Sequence, residues 1–380
     1  MSGMIGSNLG RGSGQVIEVS GKGYITDTSD PTTSTNPSAV GIVFTNSATG
    51  ETYVCNTATA GSNVWKNVGG GTGDIEPTVT AQGTQSGFLG GGYLSAAVGL
   101  NIQKFSLTSD ADAVDHGADL TVSKSYAGGH QSYSMGYTSG GAHPTSGAEY
   151  DVIDKFPFAS STTATDVGNI TDARQGCANA NSVTYGYDGG GTGSPGYDGV
   201  VTIDKFSFTS DGNSTAVGDM VVQRYRVCGN SHIGSGYGYG SGGNRYSGSN
   251  LWSNVIQKWA FASDGDATDV SNLTLARENP AGSDSTTYGY MAGGNYPGAS
   301  DVLEKHQFAT TNDATDVGNL TSGIISYGAG VSGIGYGYYC GGYYSVNFDM
   351  IQKYSYTSDG DSTDIANLTA AMYEMAGIHH

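Results

Sequence analysis

Four acidic turns recur along the chain: Ser109-Asp110-Ala111-Asp112, Ser210-Asp211-Gly212-Asn213, Ser263-Asp264-Gly265-Asp266 and Ser358-Asp359-Gly360-Asp361. In the last two, Asp269 and Asp364 follow three residues further on. Oxygen ligands at alternating positions are what a hard cation needs, so Asp264, Asp266, Asp359 and Asp361 are candidate Ca2+ ligands. Asp-Gly and Asp-Asn are also the preferred residues of a tight turn between two strands, a use that needs no metal. The expectation is turn chemistry with no cofactor.

Other reactive groups are sparse. Glycoside hydrolysis needs two carboxylates converging at a defined separation, and no pair stands out among the 34 acidic residues. Cys55, Cys177, Cys228 and Cys340 form no C-x-x-C pair. Cys177 and Cys228 fall at the same place in successive repeats, and all four read as buried free thiols. Six of the nine lysines, Lys104, Lys155, Lys205, Lys258, Lys305 and Lys353, sit in strand-like segments. A partly buried ammonium needs an anion, and the expected partners are Asp166, Asp269, Asp316 and Asp364 on the following strand.

The remaining chemistry is recognition. A formal charge of −19 and a pI near 4.4 repel nucleic-acid backbones and anionic membranes. No run approaches the roughly 18 apolar residues that span a bilayer. Amphipathic aromatics on glycine-rich loops are the usual equipment for binding glycans or protein surfaces. Such loops carry His143, Tyr197, Tyr246, Tyr296, Tyr343 and Tyr344, with Trp252 just after one of them. These seven residues are the candidate ligand or receptor rim.

What must position them is a repeat. Small-aromatic-x-x-Gly-Gly occurs at Gly136–Gly141, Gly186–Gly191, Gly238–Gly243, Gly289–Gly294 and Gly337–Gly342, with a worn copy at Gly87–Gly91. Each copy precedes one of the six lysines, which are spaced by about 50 residues. Several short strands in a unit of that length predict a propeller. Sixty-three glycines and 26 tyrosines fit a turn-dense all-β chain. The last unit stops at Ala376-Gly377-Ile378-His379-His380, and the first opens on the strand at 86–91. Pairing of these two ends would close a ring of six units and leave no open edge.

Residues 1–76 lie outside the repeat. The segment from Met1 to Gly14 reads as an arm, and Gln15–Ser20 as a strand. Gly41–Thr45 and Thr52–Cys55 bracket the turn Asn46–Gly50 as a hairpin, and Trp65 anchors a further short strand. Gly69–Gly73 reads as a hinge, so the predicted domains are 1–76 and 77–380. The opening residues lack the apolar run of a secretory signal, which predicts synthesis in a cytoplasm.

The order of Gly-Gly doublet, aromatic strand and arginine (Arg174, Arg224, Arg277) resembles the kelch-type propeller over roughly residues 78–380. Three units lack the arginine, and segments such as Asp166–Thr171 and Asp316–Thr321 replace the usual kelch tryptophan. The Asp box of sialidase propellers is not matched, because Ser and Asp are adjacent and the closing Trp is missing. The repeat Ile-Asp-Lys-Phe-x-Phe-x-Ser-Asp-Gly-Asn-x-Thr is similar to repeats in structural proteins of tailed phages. The hairpin at Thr45–Val54 is similar to anchoring modules of phage fibre and head-decoration proteins.

These resemblances imply an all-β chain, a six-bladed kelch-like propeller preceded by a small β-module, made in a host cytoplasm and located in a virion. Residues 1–76 would bind other virion proteins, and the propeller would meet a host glycan or protein, with the protein a homo-oligomer in the virion. The expected role is a non-enzymatic tail fibre or receptor-binding protein. A capsid-decoration or head-fibre protein and a carbohydrate-active propeller enzyme are the alternatives.

Overall fold

Alternating burial along short strands, punctuated by glycine turns, produces a structure with no helix among the described residues. The computed structural model describes residues 23–380 except 59–62, 70, 76–81, 95–96, 194–198, 247–249 and 296–297. The arm and the strand expected at Gln15–Ser20 therefore lie outside the described residues. The chain divides into Met1–Thr78 and Val79–His380, two residues beyond the boundary read from composition.

The first unit is a four-stranded sheet of Tyr24–Asp27, Val43–Asn46, Thr52–Thr57 and Val64–Asn67 in sequence order. The expected hairpin is present, with Val43 opposite Val54, and Tyr24–Asp27 adds in parallel to its outer side. Trp65 is fully buried and packs with Ile42, Phe44, Tyr53 and Cys55.

The second unit holds six four-stranded antiparallel sheets among the described residues, a propeller-like all-β architecture. In one, Ala281–Asp284, Tyr288–Ala292, Val302–Gln307 and Thr315–Asn319 follow one another in space as in sequence. One sheet is assembled from both ends of the unit: Ala376–His379 pairs with Ser86–Gly90, Ile378 facing Phe88 and His379 facing Gly87. The predicted terminal pairing is therefore present. We number the sheets by the chain order of their second strands, so this is the first.

The first strands approach one another closely enough to need glycine. A Cβ on Gly330 would stand 2.0 Å from the Gly282 carbonyl oxygen, and one on Gly377 would stand 2.0 Å from that of Gly330. The Gly-Gly doublets answer a different crowding. Gly293 and Gly294 adopt φ of 65° and 106° against the carbonyls of Ile325 and Glu278, in segments that lead from one sheet to the next.

Neighbouring sheets are joined by two kinds of contact. The first is a buried polar column. Asp154 pairs with Lys124 at 3.0 Å, Asp204 with Arg174 at 2.8 Å, and Glu304 with Arg277; all six side chains are buried. Gln103 and Gln352 hold the same place in the first and sixth sheets, and Met372 and Ile325 replace the base. The fourth sheet combines Gln257 with Arg224.

The second contact corrects the expected partners of the lysines, Asp166, Asp269, Asp316 and Asp364. Lys205 pairs with Asp264 at 2.6 Å, and Lys155, Lys305 and Lys353 pair with Asp211, Asp359 and Asp110. Each acid comes from the turn of the next sheet, not from the adjacent strand. Register explains it: Lys155, Lys205, Lys305 and Lys353 face Thr165, Thr215, Thr315 and Thr363 across the ladder. The strand aspartates therefore fall one position away. Where the next turn carries Ser161 or Thr311 in place of the acid, Lys104 and Lys258 lie over the rings of Phe88 and Tyr237, a contact that Lys205, Lys305 and Lys353 also make with Tyr185, Tyr288 and Tyr336.

Candidate functional site

The segment entering each first strand contains a residue in the left-handed region: Tyr126, Gly176, Arg226, Asn279, Tyr327 and Glu374, with φ from 52° to 67°. Only Gly176 takes that conformation without cost. For the other five it costs on the order of 1 kcal/mol each, and such strain gathers where surrounding structure over-determines it. Backbone hydrogen bonds link the column: Gly176 N donates to Tyr126 O, Arg226 N to Gly176 O, Asn279 N to Arg226 O, Glu374 N to Tyr327 O and Tyr126 N to Glu374 O.

Their side chains meet around a cavity of about 100 Å³. The Arg226 guanidinium lies 5.1 Å from the Tyr126 ring centre, 5.5 Å from Tyr327 and 5.4 Å from Tyr225, and its Nη1 donates to Glu278 at 3.2 Å. Tyr126 and Glu374 line the same cavity. Burial raises the Glu374 pKa. Burial likewise pushes the Tyr126 hydroxyl well above its ordinary value.

From this cluster a line of tyrosines runs outward. Tyr327 lies 6.1 Å from Tyr373, which lies 5.1 Å from both Tyr93 and Tyr343. Tyr343, Tyr344 and Val346 are exposed. Antiparallel bridges explain how strand-entry segments and loops come together: Tyr93↔Tyr373, Ser125↔Ala142, Gln175↔Thr192, Tyr225↔Asn244, Glu278↔Asn295 and Ser326↔Tyr343. One bridge per sheet brings the loop after the Gly-Gly doublet against the strand-entry segment.

The predicted rim is only partly assembled. Tyr343 joins the tyrosine line and Tyr344 stands exposed beside it. His143 is absorbed by its own loop, its Nδ1 accepting from the amides of Thr145 and Ser146 at 3.2 Å. Trp252 pairs with Asn244 in a small hairpin whose other end is Tyr246↔Asn250. Tyr197 and Tyr296 lie outside the described residues. Tyr93, Tyr126, Arg226, Tyr327, Tyr373 and Glu374 were missed. Their signal was the lone Gly176, which marks a column where backbone geometry is special while its neighbours carry large polar or aromatic groups.

The calcium candidates are engaged with the preceding sheet. Asp264 and Asp359 hold lysines, while Asp266 and Asp361 accept the amides of Asp219 and Asn319 at 3.0 and 2.8 Å. Among the described residues no three His, Cys, Asp or Glu side chains gather as a metal site. The four cysteines are free and buried. Cys228 lies in its strand and Cys177 one position before the equivalent place, a correction of one residue to the sequence alignment.

A second cavity of about 150 Å³ is lined by the first strands. Buried polar side chains, one per sheet, border it: Gln131, Asn181, Ser231, Asp284, Ser332 and His379. Four are bonded in series: Asn181 N donates to Ser231 Oγ, Ser231 N to Asp284 Oδ2 and Asp284 N to Ser332 Oγ, at 2.8 to 2.9 Å. Burial lifts the Asp284 carboxyl to about 7.

No protein-family model and no curated protein matches this chain.

Proposed function

We propose that residues 79–380 form a six-bladed, kelch-like propeller serving as a recognition module, and that the protein is a non-enzymatic structural component of a tailed-phage virion. In this reading it is a tail fibre or receptor-binding protein. The first unit attaches it to other virion proteins, and the tyrosine-bearing face meets a host-surface glycan or protein. The observation that carries the recognition role is the continuous line from exposed Tyr343 through Tyr373 and Tyr327 to Tyr126 and Arg226. Rigid aromatics that keep a polar tip present large contact area at low conformational cost.

Six sheets succeeding one another, with the last strand completing the first sheet, support the blade count. The repeat dialect and the hairpin at Thr45–Val54 support the virion. Binding without turnover fits Glu278, which is held by Arg226.

Purified host envelope polysaccharide, incubated with the protein and then sized, tests the proposal. Retention of the protein on intact polymer is expected, with weaker retention for Tyr373→Ala. Shortened polymer would replace the binder with an enzyme. Labelled antibody decorating only the capsid would move the protein from tail to head decoration.

A further inference from the structure

The bridge between Tyr225 and Asn244 has a consequence specific to the fourth sheet. Reciprocal amide-to-carbonyl bonds of 2.9 Å join the two residues, so in antiparallel register Arg224 stands opposite Arg245, with both side chains on one side of the ladder. The equivalent bridges elsewhere oppose Lys124 to His143, Arg174 to Gly193, Ile325 to Tyr344 and Met372 to Leu94. Among the described pairs only this one sets two permanent cations face to face. Like charges directly opposite are destabilising, and this chain has six arginines to spend.

Arg224 has also lost the acid that its counterparts keep. Lys124, Arg174 and Arg277 are bound by Asp154, Asp204 and Glu304. The corresponding residue here is Gln257, whose Oε1 accepts from Val221 N at 2.7 Å. Arg224 Nη1 donates to the Gln223 carbonyl at 3.0 Å, and its Nε is buried with no hydrogen-bond partner. Among the described residues no carboxylate pairs with either arginine. Both are partly exposed, so solvent and solutes reach them. Burial and the neighbouring Arg245 together lower the Arg224 pKa, and no anion opposes them.

We propose that Arg224 and Arg245 form an oxyanion-binding subsite, taking the carboxylate or sulfate-ester group of a sugar. Two planar forks on one side of a ladder suit an oxyanion with several acceptor oxygens. The acidity of the whole chain disfavours a densely charged polymer, so the ligand carries isolated acidic groups on an otherwise neutral glycan. The assignment of the oxyanion to a sugar rests on the recognition role proposed above, whereas oxyanion binding itself does not.

Titration calorimetry with sodium glucuronate and with sodium sulfate, against glucose and sodium chloride at matched ionic strength, tests it. A saturable heat is expected for at least one of the two anions and none for glucose. Glucuronate alone would identify a carboxylate, and sulfate alone a sulfate ester. Arg245→Gln should weaken binding at least tenfold with the fold unchanged by circular dichroism. Arg245→Lys, which keeps the charge and loses the fork, should fall between the two and serves if the glutamine variant does not fold. The proposal is overturned if neither anion gives a saturable heat with the wild-type protein, or if both variants bind as tightly as wild type. Binding of the small anions by a protein that ignores host polysaccharide would leave the subsite standing and remove the recognition role.

Discussion

Replacing Glu304 with glutamine leaves the buried Arg277 guanidinium without its counter-charge, its remaining wild-type bonds going to the carbonyls of Val302 and Met291, each at 3.3 Å. Breaking one side of a buried ion pair costs about 3–5 kcal/mol, because the survivor's desolvation is no longer offset. The chain itself supplies the remedy, since Gln103 and Met372 occupy the same two places in the first sheet. There Gln103 still accepts the Thr369 amide at 2.7 Å, as Glu304 accepts that of Thr274. Arg277→Met combined with Glu304→Gln should therefore lie within about 1 kcal/mol of wild type, as expected when both charges of a buried pair are removed together. For a unit of about 300 residues the unfolding entropy is on the order of 0.6 kcal/mol/K, so Glu304→Gln should lower the melting temperature by about 6 °C. Scanning calorimetry of wild type, both single variants and the double gives the coupling directly. A Glu304→Gln variant melting within a degree of wild type, or a double variant as unstable as the single ones combined, would refute the reasoning.

The other expectations are simpler. Gly330→Ala puts a Cβ against backbone on the neighbouring strand and should cost about 3 kcal/mol, whereas Gly298→Ala, with nothing within 4 Å, should be near neutral; equal urea midpoints would contradict the close approach of first strands. Burial holds the His306 pKa down to about 4. Its contribution is fully present above pH 6.5 and is lost as pH falls from there to about 4, because the unfolded chain takes up the proton first. His306→Phe, which copies Phe206 at the same place, should flatten that acid limb in pH-dependent melting. Calcium added to chelator-treated protein should leave the melting temperature unchanged, since Asp264 and Asp359 are held by lysines; a saturable rise would restore the metal reading.

The sequence disclosed those features whose cause is local or periodic. Lysine spacing revealed the repeat, the truncated unit at Ala376–His380 pointed to its partner at 86–91, and Trp65 declared itself as a core anchor. What stayed hidden depends on contacts between repeats. The lysine partners were sought one strand away because the sheet was read alone, while the acids arrive from the next sheet. The Tyr126–Arg226–Glu374 cluster was hidden because its members lie 100 or more residues apart and share only a backbone angle. The Nδ1 contacts of His143 were hidden for the opposite reason: its loop is short enough for the imidazole to accept from its own amides.

The pairing of Ile378 with Phe88 also has a kinetic side. Strands 86–119 emerge early from the ribosome, but the edge of their sheet waits for residues made at the far end of the unit. The loop to be closed is among the longest this unit allows, and its entropy must be spent before the contact repays it. Maturation should therefore be governed by one late docking event, and nascent chains stalled before residue 376 should expose an unpaired strand edge open to aggregation.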